Sequence, residues 1–137
     1  MNERRFLPRL TEPKSGAIDP RLEVLHALAL DRPGATEDFP FGPEVMVFKV
    51  CGKMFGAVGW EESPLRLSLK CAPDRIESLR EEYDAIGPPR YFDKRHWNQL
   101  TLDDTIDDDL LRELVDHSYD LIVGKLPRKL RAQLDES

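Results

Sequence analysis

Hydrophobic positions recur along this chain with two different periods, and each period predicts a different kind of element. Behind an Asp-Pro start at residue 19, leucines at helical spacing predict a first helix that ends near residue 32. Residues 45–50 and 53–60 are apolar runs separated by a tight turn, which predicts a hairpin. In residues 65–70, leucines alternate with polar side chains, so this third strand is expected to have one buried face and one wet face.

The middle of the chain predicts another helix and two more strands. Pro73 opens the second helix, with apolar residues on one face, and the Gly-Pro-Pro sequence at 87–89 ends it. Residues 90–92 and 97–102 predict the fourth and fifth strands, joined by a basic turn at 93–95. Short turns between consecutive strands indicate that the sheet is antiparallel.

Two further helices complete the prediction. The longest apolar stripe, residues 110–126, predicts the third helix, and Pro127 starts a short fourth helix that ends near residue 134. The predicted order is α-β-β-β-α-β-β-α-α. We therefore expect an α+β fold, a two-layer sandwich in which an antiparallel five-stranded sheet has its helices on one face. Residues 19–134 would form a single domain, and residues 1–18, which lack periodicity, would form a flexible N-terminal arm.

Composition and charge narrow the functional classes. The chain of 137 residues is 40% hydrophobic and 34% charged, as expected for one globular domain. Its net charge of -6 opposes indiscriminate binding to nucleic acid, so any such binding needs a local cationic patch. No apolar run reaches the ~20 residues of a membrane helix, and no signal peptide is recognisable, which favours the cytoplasm. Cys51 and Cys71 are expected to be reduced core residues.

Such a patch is predicted between residues 90 and 98, where cations alternate with aromatic rings. Its candidate binding residues are Arg90, Lys94, Arg95, His96 and Trp97. Cations hold phosphates and flat rings stack on bases, so this composition favours nucleic-acid binding. The alternative interpretation is an ordinary strand pair with a basic turn and a half-buried tryptophan.

The alternation of residues adds to this patch if two of the strands expose the same side. The outward residues are Arg66, Ser68 and Lys70 on the third predicted strand and Trp97, Gln99 and Thr101 on the fifth. One face of the sheet would then carry cations, hydrogen-bonding groups and an indole, a surface suited to phosphate contact and stacking. Alternatively, the rings of Phe39 and Phe41, in a segment that Pro40 and Pro43 force to be extended, cover the indole.

Residue types that would indicate catalysis or metal binding do not occur at useful spacings. The three histidines lie on separate predicted elements, and neither they nor the cysteines have a ligand at metal-site spacing. The run Asp116-His117-Ser118 has the residues of a catalytic triad, but neighbours in a helix point about 100° apart. We expect these to be helix-surface residues, with His117 facing solvent. The sequence thus predicts a protein without enzymatic activity, metal or cofactor.

A series of short motifs occurs in a familiar order between about residue 20 and residue 131. They are Pro40-Phe41-Gly42, Phe48-Lys49-Val50, Gly52-Lys53-Met54-Phe55, Leu67-Ser68-Leu69-Lys70-Cys71, Lys94-Arg95-His96-Trp97, Asp116-His117-Ser118-Tyr119 and Lys125-Leu126-Pro127. With these motifs the chain resembles the MmcQ/YjbR family. The resemblance implies a compact α+β domain likened to CyaY-like or secretion-chaperone folds, and DNA binding through a double-wing arrangement of strands and loops. The matching basic and aromatic positions are Lys70, Lys94, His96 and Trp97.

Two hypotheses about function follow. In the first, the chain is a non-enzymatic DNA-binding domain in which Lys70, Arg90, Lys94 and Arg95 contact phosphates and Trp97 stacks or wedges. In the second, it is a protein-interaction domain, chaperone-like or homodimerising, with no nucleic-acid role. A small-ligand pocket under the phenylalanines at 39 and 41 is a third option.

Overall fold

Regular elements occupy most of residues 18–135, the part of the chain that the computed structural model describes. The helices are α1 (Arg21–Leu30), α2 (Pro73–Glu82), α3 (Asp108–Gly124) and α4 (Arg128–Asp135). The strands are β1 (Ala35–Asp38), β2 (Val45–Val50), β3 (Lys53–Gly59), β4 (Arg66–Lys70), β5 (Ile86–Gly87) and β6 (Trp97–Thr101). The predicted α+β class is confirmed, but this part of the chain has six strands where five were expected.

The strands form one antiparallel sheet in the order β1-β2-β3-β4-β6-β5. The first four are neighbours in sequence and in space, so short turns connect them. The connection from β4 to β6 contains α2 and β5, and β5 then lies at the edge beyond β6. A bulge shifts the β2–β3 register between Phe48 and Lys49. The predicted antiparallel pairing is therefore correct.

The helices pack on one side of this sheet. Apolar residues from all four helices belong to the same buried cluster as Leu67, Leu69 and Leu100 of the central strands. The longest helix, α3, contacts β2, β3 and β4, and the rings of Phe55 and Tyr119 meet edge to face with centroids 5.4 Å apart. Each large apolar side chain buried in this way stabilises the fold by about 1.5–3 kcal/mol.

One predicted strand, at residues 90–92, does not form, and two strands, β1 and β5, were not predicted; backbone chemistry explains these differences. Residues 90–92 form a bend, because the preceding Pro88 and Pro89 lack the N–H groups that a paired strand donates. The strand that pairs with β6 there is β5, only two residues long. The sequence of β1 is Ala-Thr-Glu-Asp, which has no apolar alternation, and its pairing with β2 and contacts with α1 hold it in the extended conformation.

The Asp-His-Ser-Tyr run at 116–119 ties α3 to the elements around it. The Ser118 hydroxyl, fully buried, accepts a hydrogen bond from the Lys70 backbone N–H at 2.9 Å and donates one to the Phe55 carbonyl. The His117 Nε2 atom accepts a hydrogen bond from the Ala72 N–H at 3.1 Å. The expectation that His117 faces solvent is wrong, because its ring is partly buried and terminates an otherwise unpaired N–H at the start of α2.

The residues on either side complete this set of ties. Asp116 forms an ion pair with Arg32 at 3.6 Å, and the Tyr119 hydroxyl donates to the Pro33 carbonyl. Four consecutive side chains of α3 therefore bind other elements. These contacts hold α3 against its neighbours, and the expectation that residues 116–118 lie on the helix surface is wrong for Ser118, which is fully buried.

Several smaller predictions can be compared with the structure. The predicted N-terminal arm lies outside the described residues except for Ile18, which packs against the core. Phe39 also packs against the core, whereas Phe41 is 59% exposed. Cys71 is a buried free thiol as expected, and Cys51 is free but exposed. No helix within residues 18–135 is both long enough and apolar enough to cross a membrane.

Candidate nucleic-acid interface

A row of small and polar residues crosses the face of the sheet opposite the helices, which we call the distal face. Ala57 of β3 pairs with Ser68 of β4, Ser68 pairs with Gln99 of β6, and Gln99 pairs with Gly87 of β5. Cross-strand partners share a face, and neighbours along each strand point to opposite faces. Because the leucines on either side of Ser68 belong to the helix-side core, this row must face away from it.

Two further pairs flank this row on the same face. Lys70 pairs with Trp97 on one side of it, and Arg66 pairs with Thr101 on the other. The predicted common face of the third and fifth predicted strands, β4 and β6, is therefore confirmed. The register brings cations, hydrogen-bonding groups and an indole within one or two strand widths of each other.

The Trp97 indole is a structural part of this face. Its ring is 8% exposed, and the Phe92 ring stacks on it with centroids 4.7 Å apart and planes at 24°. The Lys70 ammonium lies 5.6 Å from its centroid, within the range of a cation–π interaction. The indole is thus largely covered, by Phe92 rather than by the predicted Phe39–Phe41 segment, and it has no free surface on which a base could stack.

The turn before β6 is ordered by Asp93. This carboxylate accepts hydrogen bonds from the Arg95 backbone N–H and from Nδ1 of His96, both at 2.9 Å, and the Arg95 guanidinium lies 3.6 Å away. The two hydrogen bonds, led by the one from the backbone, lower the pKa of Asp93 to about 2. Arg95, predicted to contact phosphate, and His96, predicted to be part of the nucleic-acid site, therefore each interact with a carboxylate of their own turn.

Arg80 of α2 holds the same turn from behind. Its guanidinium donates to the backbone carbonyls of Lys94 and Trp97, at 2.8 and 3.3 Å, and to the Asn98 side chain at 2.8 Å. Five N–H donors in a rigid fork allow one arginine to make these bonds together. The position of the Lys94 side chain thus depends on a helix distant from it in sequence.

Three of the predicted phosphate ligands remain available for an anion. Within residues 18–135, Lys70, Arg90 and Lys94 have no carboxylate at ion-pair distance. Arg90 and Lys94 are exposed, and the Arg90 guanidinium lies 5.8 Å from the Tyr91 ring centroid. The Tyr91 ring itself is 81% exposed. The exposed ring that could stack on a base is therefore Tyr91 and not Trp97.

A cleft of about 110 Å³ lies on the distal face between the strands and the bend at residues 90–92. Ala57, Ser68 and Gln99 line it from the central row, and Arg66 lines it from the flanking pair. Arg90, Tyr91 and Phe92 line it from the bend, and Glu62 adds one carboxylate. Sequence reasoning placed Arg66, Ser68 and Gln99 on this face through their alternation, but nothing in the sequence indicates that the bend closes over them.

The acidic residues of α3 are on the other side of the molecule. Asp116 and Asp120 lie near Arg32, and Glu113 receives a bidentate pair from Arg75 at 3.0 and 3.2 Å. These groups belong to the helix layer, with the sheet between them and the distal face. At a Debye length of ~8 Å in physiological salt, a cationic patch on one layer is largely insulated from acids on the other. Within the described residues, no group of three or more potential ligands could hold a metal ion.

The comparison with known families agrees with this architecture. Residues 30–121 match the model of the YjbR family, a segment that includes every strand and most of α3. This chain belongs to the YjbR family. The uncharacterized protein YjbR of Escherichia coli K12 is 34% identical over 106 residues, which cover 75% of this chain and 90% of that protein. The uncharacterized protein YbdF of Escherichia coli O157:H7 is 32% identical over 107 residues, covering 78% and 88% respectively.

Solved structures of similar proteins share the fold of this YjbR-family chain. A Deinococcus radiodurans protein superposes with a TM-score of 0.78 at 37% identity, over 83% of this chain and 87% of the other. A Pseudomonas syringae protein superposes with a TM-score of 0.63 at 19% identity, covering 75% and 98% respectively. The second likeness, at this low identity, supports the fold alone. The layered arrangement around the distal face is thus a property shared beyond this sequence.

Proposed function

We propose that this YjbR-family protein is a non-enzymatic DNA-binding domain whose contact surface is the distal face of the sheet with the turn at 90–96. The observation that carries the proposal is the set of cations without carboxylate partners, Lys70, Arg90 and Lys94, beside the exposed Tyr91 ring. Cations of this kind neutralise phosphates, and an exposed ring stacks on a base.

The proposal differs from the sequence-based hypothesis in the role of each group. Tyr91 replaces Trp97 as the stacking ring, because the indole is covered by Phe92 while the Tyr91 ring is exposed. Lys70, Arg90 and Lys94 are the principal phosphate ligands. Arg95 and His96 contribute less, since each also interacts with Asp93.

A salt titration of DNA binding tests this assignment. Affinity of the full chain for a labelled duplex is measured by fluorescence anisotropy over a range of salt concentrations. Each lost phosphate contact flattens the log–log slope by about 0.9, so Lys70→Ala combined with Lys94→Ala is expected to flatten it by about 1.8. Lys125→Ala combined with Lys129→Ala removes the same charge from exposed positions near α4 and serves as the control, with an unchanged slope expected.

Two results would contradict the assignment. Equal slopes for the two double variants would show that the attraction is general and not located on the distal face. If the unaltered chain bound neither duplex nor single-stranded DNA measurably, the proposal that this protein binds DNA would be wrong. Thermal unfolding of each variant, followed by circular dichroism, shows that a change in slope does not come from unfolding.

A protein-interaction role is favoured by a different observation. The Phe41 ring is 59% exposed in the turn between β1 and β2, and the proline and glycine residues around it hold that turn in place. Exposed rings in ordered turns are common anchors of protein interfaces. A solution mass measurement separates the two roles: a dimer that Phe41→Ser dissociates would favour the protein-interaction role.

A further inference from the structure

The cleft on the distal face is lined by two neighbouring polar side chains that the fold does not use. Ser68 is 6% exposed and lines the cleft, yet its hydroxyl makes no hydrogen bond to any residue within the described range. Gln99, its cross-strand partner, also lines the cleft, and its amide is likewise without a partner in residues 18–135. The buried side-chain atoms that lack a hydrogen-bond partner within residues 18–135 are Arg32 Nε and Asn98 Nδ2, and neither residue lines the cleft. The Ser68 hydroxyl and the Gln99 amide are instead open to the cleft and available to a ligand that enters it.

The size of the cleft limits what that ligand can be. At about 110 Å³ it is larger than one water molecule needs and can hold one flat ring, so the rest of a larger ligand would lie along its open rim. Cross-strand side chains on one face lie about 5 Å apart, so the Ser68 hydroxyl and the Gln99 amide can both hydrogen-bond to the same edge of a small ring. Gly87, next to Gln99 in the row, does not line the cleft, but a Cβ built there would meet nothing within 4 Å, so the sheet is uncovered beside Gln99.

The walls of the cleft add two other kinds of chemistry. Tyr91 and Phe92 supply aromatic surface on the side of the bend, which suits a flat ring. Arg66 and Arg90 supply two guanidinium groups, which suit a phosphate or carboxylate. Glu62 places one hydrogen-bond acceptor in the same cleft. A simple inorganic anion would use the arginines but leave the hydroxyl, the amide and the aromatic wall unused.

We propose that this cleft binds one nucleoside monophosphate unit. Its base would lie between the aromatic bend and the sheet with its hydrogen-bonding edge on Ser68 and Gln99, and its phosphate would lie on Arg66 and Arg90. The proposal rests on the proposed function, because it identifies the DNA partner as one with an unpaired nucleotide. The same chemistry is present in a free mononucleotide and in a single strand, whereas a base within a duplex is not accessible to the cleft.

Binding of mononucleotides to the full chain tests the proposal directly. The four deoxynucleoside monophosphates, inorganic phosphate, a short single strand and the matching duplex are each titrated by calorimetry or by amide chemical shifts. At least one monophosphate is expected to bind more tightly than inorganic phosphate. Ser68→Ala combined with Gln99→Ala is expected to lower the affinity for that monophosphate about tenfold, because two hydrogen bonds are lost. The affinity for inorganic phosphate is expected to stay unchanged.

The matched control for this experiment is Lys125→Ala combined with Lys129→Ala, because both lysines are exposed and neither lines the cleft. It is expected to leave mononucleotide affinity unchanged. Displacement of the mononucleotide by the single strand shows that a strand uses the same cleft, and failure of displacement assigns the cleft to free nucleotides.

Three outcomes would overturn the proposal in distinguishable ways. If inorganic phosphate binds as tightly as every monophosphate, the cleft is only an anion site. If DNA binds and Lys70→Ala with Lys94→Ala weakens it, but no monophosphate binds and the Ser68 and Gln99 substitutions change nothing, the proposed function stands and the cleft has no nucleotide role. If neither mononucleotide nor DNA binds, the proposed function fails as well.

Discussion

Polar side chains on the two faces of the sheet differ in whether they hydrogen-bond to other parts of the fold. On the helix side, Ser118 and His117 of α3 bind backbone groups of β3, β4 and the start of α2, so each polar side chain fastens one element to another. On the distal face, Ser68 and Gln99 occupy comparable positions but bind no described residue. The contrast separates polar groups that stabilise the fold from polar groups that line an open cleft and are available to a partner.

The largest expected effect tests whether the distal face also contributes to stability. Trp97→Ala removes a ring that is 8% exposed and stacked on Phe92, so it should lower the free energy of unfolding by about 3–5 kcal/mol. Chemical denaturation measures it, with Leu114→Ala on the helix side as the reference, expected to cost about 2–5 kcal/mol. A cost below about 1 kcal/mol for Trp97→Ala would mean that the indole is exposed in solution.

The next largest loss of stability is expected from removing the hydrogen bonds of Ser118 on the helix side. Ser118→Ala leaves the Lys70 N–H and the Phe55 carbonyl without their side-chain partner in a fully buried site. Each unsatisfied buried group costs about 1–3 kcal/mol, so the free energy of unfolding should fall by at least that amount. Denaturant unfolding of Ser118→Ala, beside Ser78→Ala on the exposed side of α2, measures it. Equal stabilities for the two variants would contradict the role given to Ser118.

A pH-dependent effect follows from the neighbouring histidine. Burial, followed by the nearby Arg75, lowers the pKa of His117 below its ordinary value of 6.5. The unfolded chain then binds this proton more readily than the folded one, so the contribution is complete above about pH 6.5 and is lost as the pH falls through the folded pKa. His117→Gln keeps a hydrogen-bond acceptor for the Ala72 N–H but does not titrate. Unfolding curves between pH 7.5 and 5 should therefore fall less steeply for His117→Gln than for the unaltered chain.

The smallest change in the free energy of unfolding is expected for Ser68, which has no structural role in this comparison of the two faces. Ser68→Ala removes a hydroxyl that has no described partner, so the free energy of unfolding should change by less than about 0.5 kcal/mol. Denaturant unfolding of Ser68→Ala and Ser118→Ala under the same conditions compares the two buried serines. A loss above about 1 kcal/mol for Ser68→Ala would show that this hydroxyl is bonded within the fold and would weaken the argument for a ligand.

Local patterns predicted most of the elements. Periodicity placed α1, α2 and α3 and the strands β2, β3, β4 and β6, because each of these has an apolar face that its own residues define. Pro127 indicated the start of α4. Periodicity did not predict the two edge strands, β1 and β5. The polar sequence of β1 and the two residues of β5 carry no pattern, and they are extended because a neighbouring strand offers unpaired backbone groups.

The candidate site was predicted in part for the same reason. Alternation is a local property, so the sequence placed Arg66, Ser68 and Lys70 on one side of their strand. That this side is shared with the outward residues of β6 came from the register of the two strands. The exposure of each ring did not, because it depends on which distant group lies over it. Phe92 lies over Trp97, and Tyr91 beside it is left exposed.

By itself, the sequence determined the α+β class, the antiparallel pairing, the family and the facing directions of the central strands, since all of these depend on residues close together in the chain or on motifs written in it. Only the tertiary structure decided which cations keep a carboxylate neighbour, which aromatic ring is exposed and where a cleft remains. These properties depend on the space between segments distant in sequence, here β4, β6 and the bend at 90–92, and that space is defined only when the segments pack together.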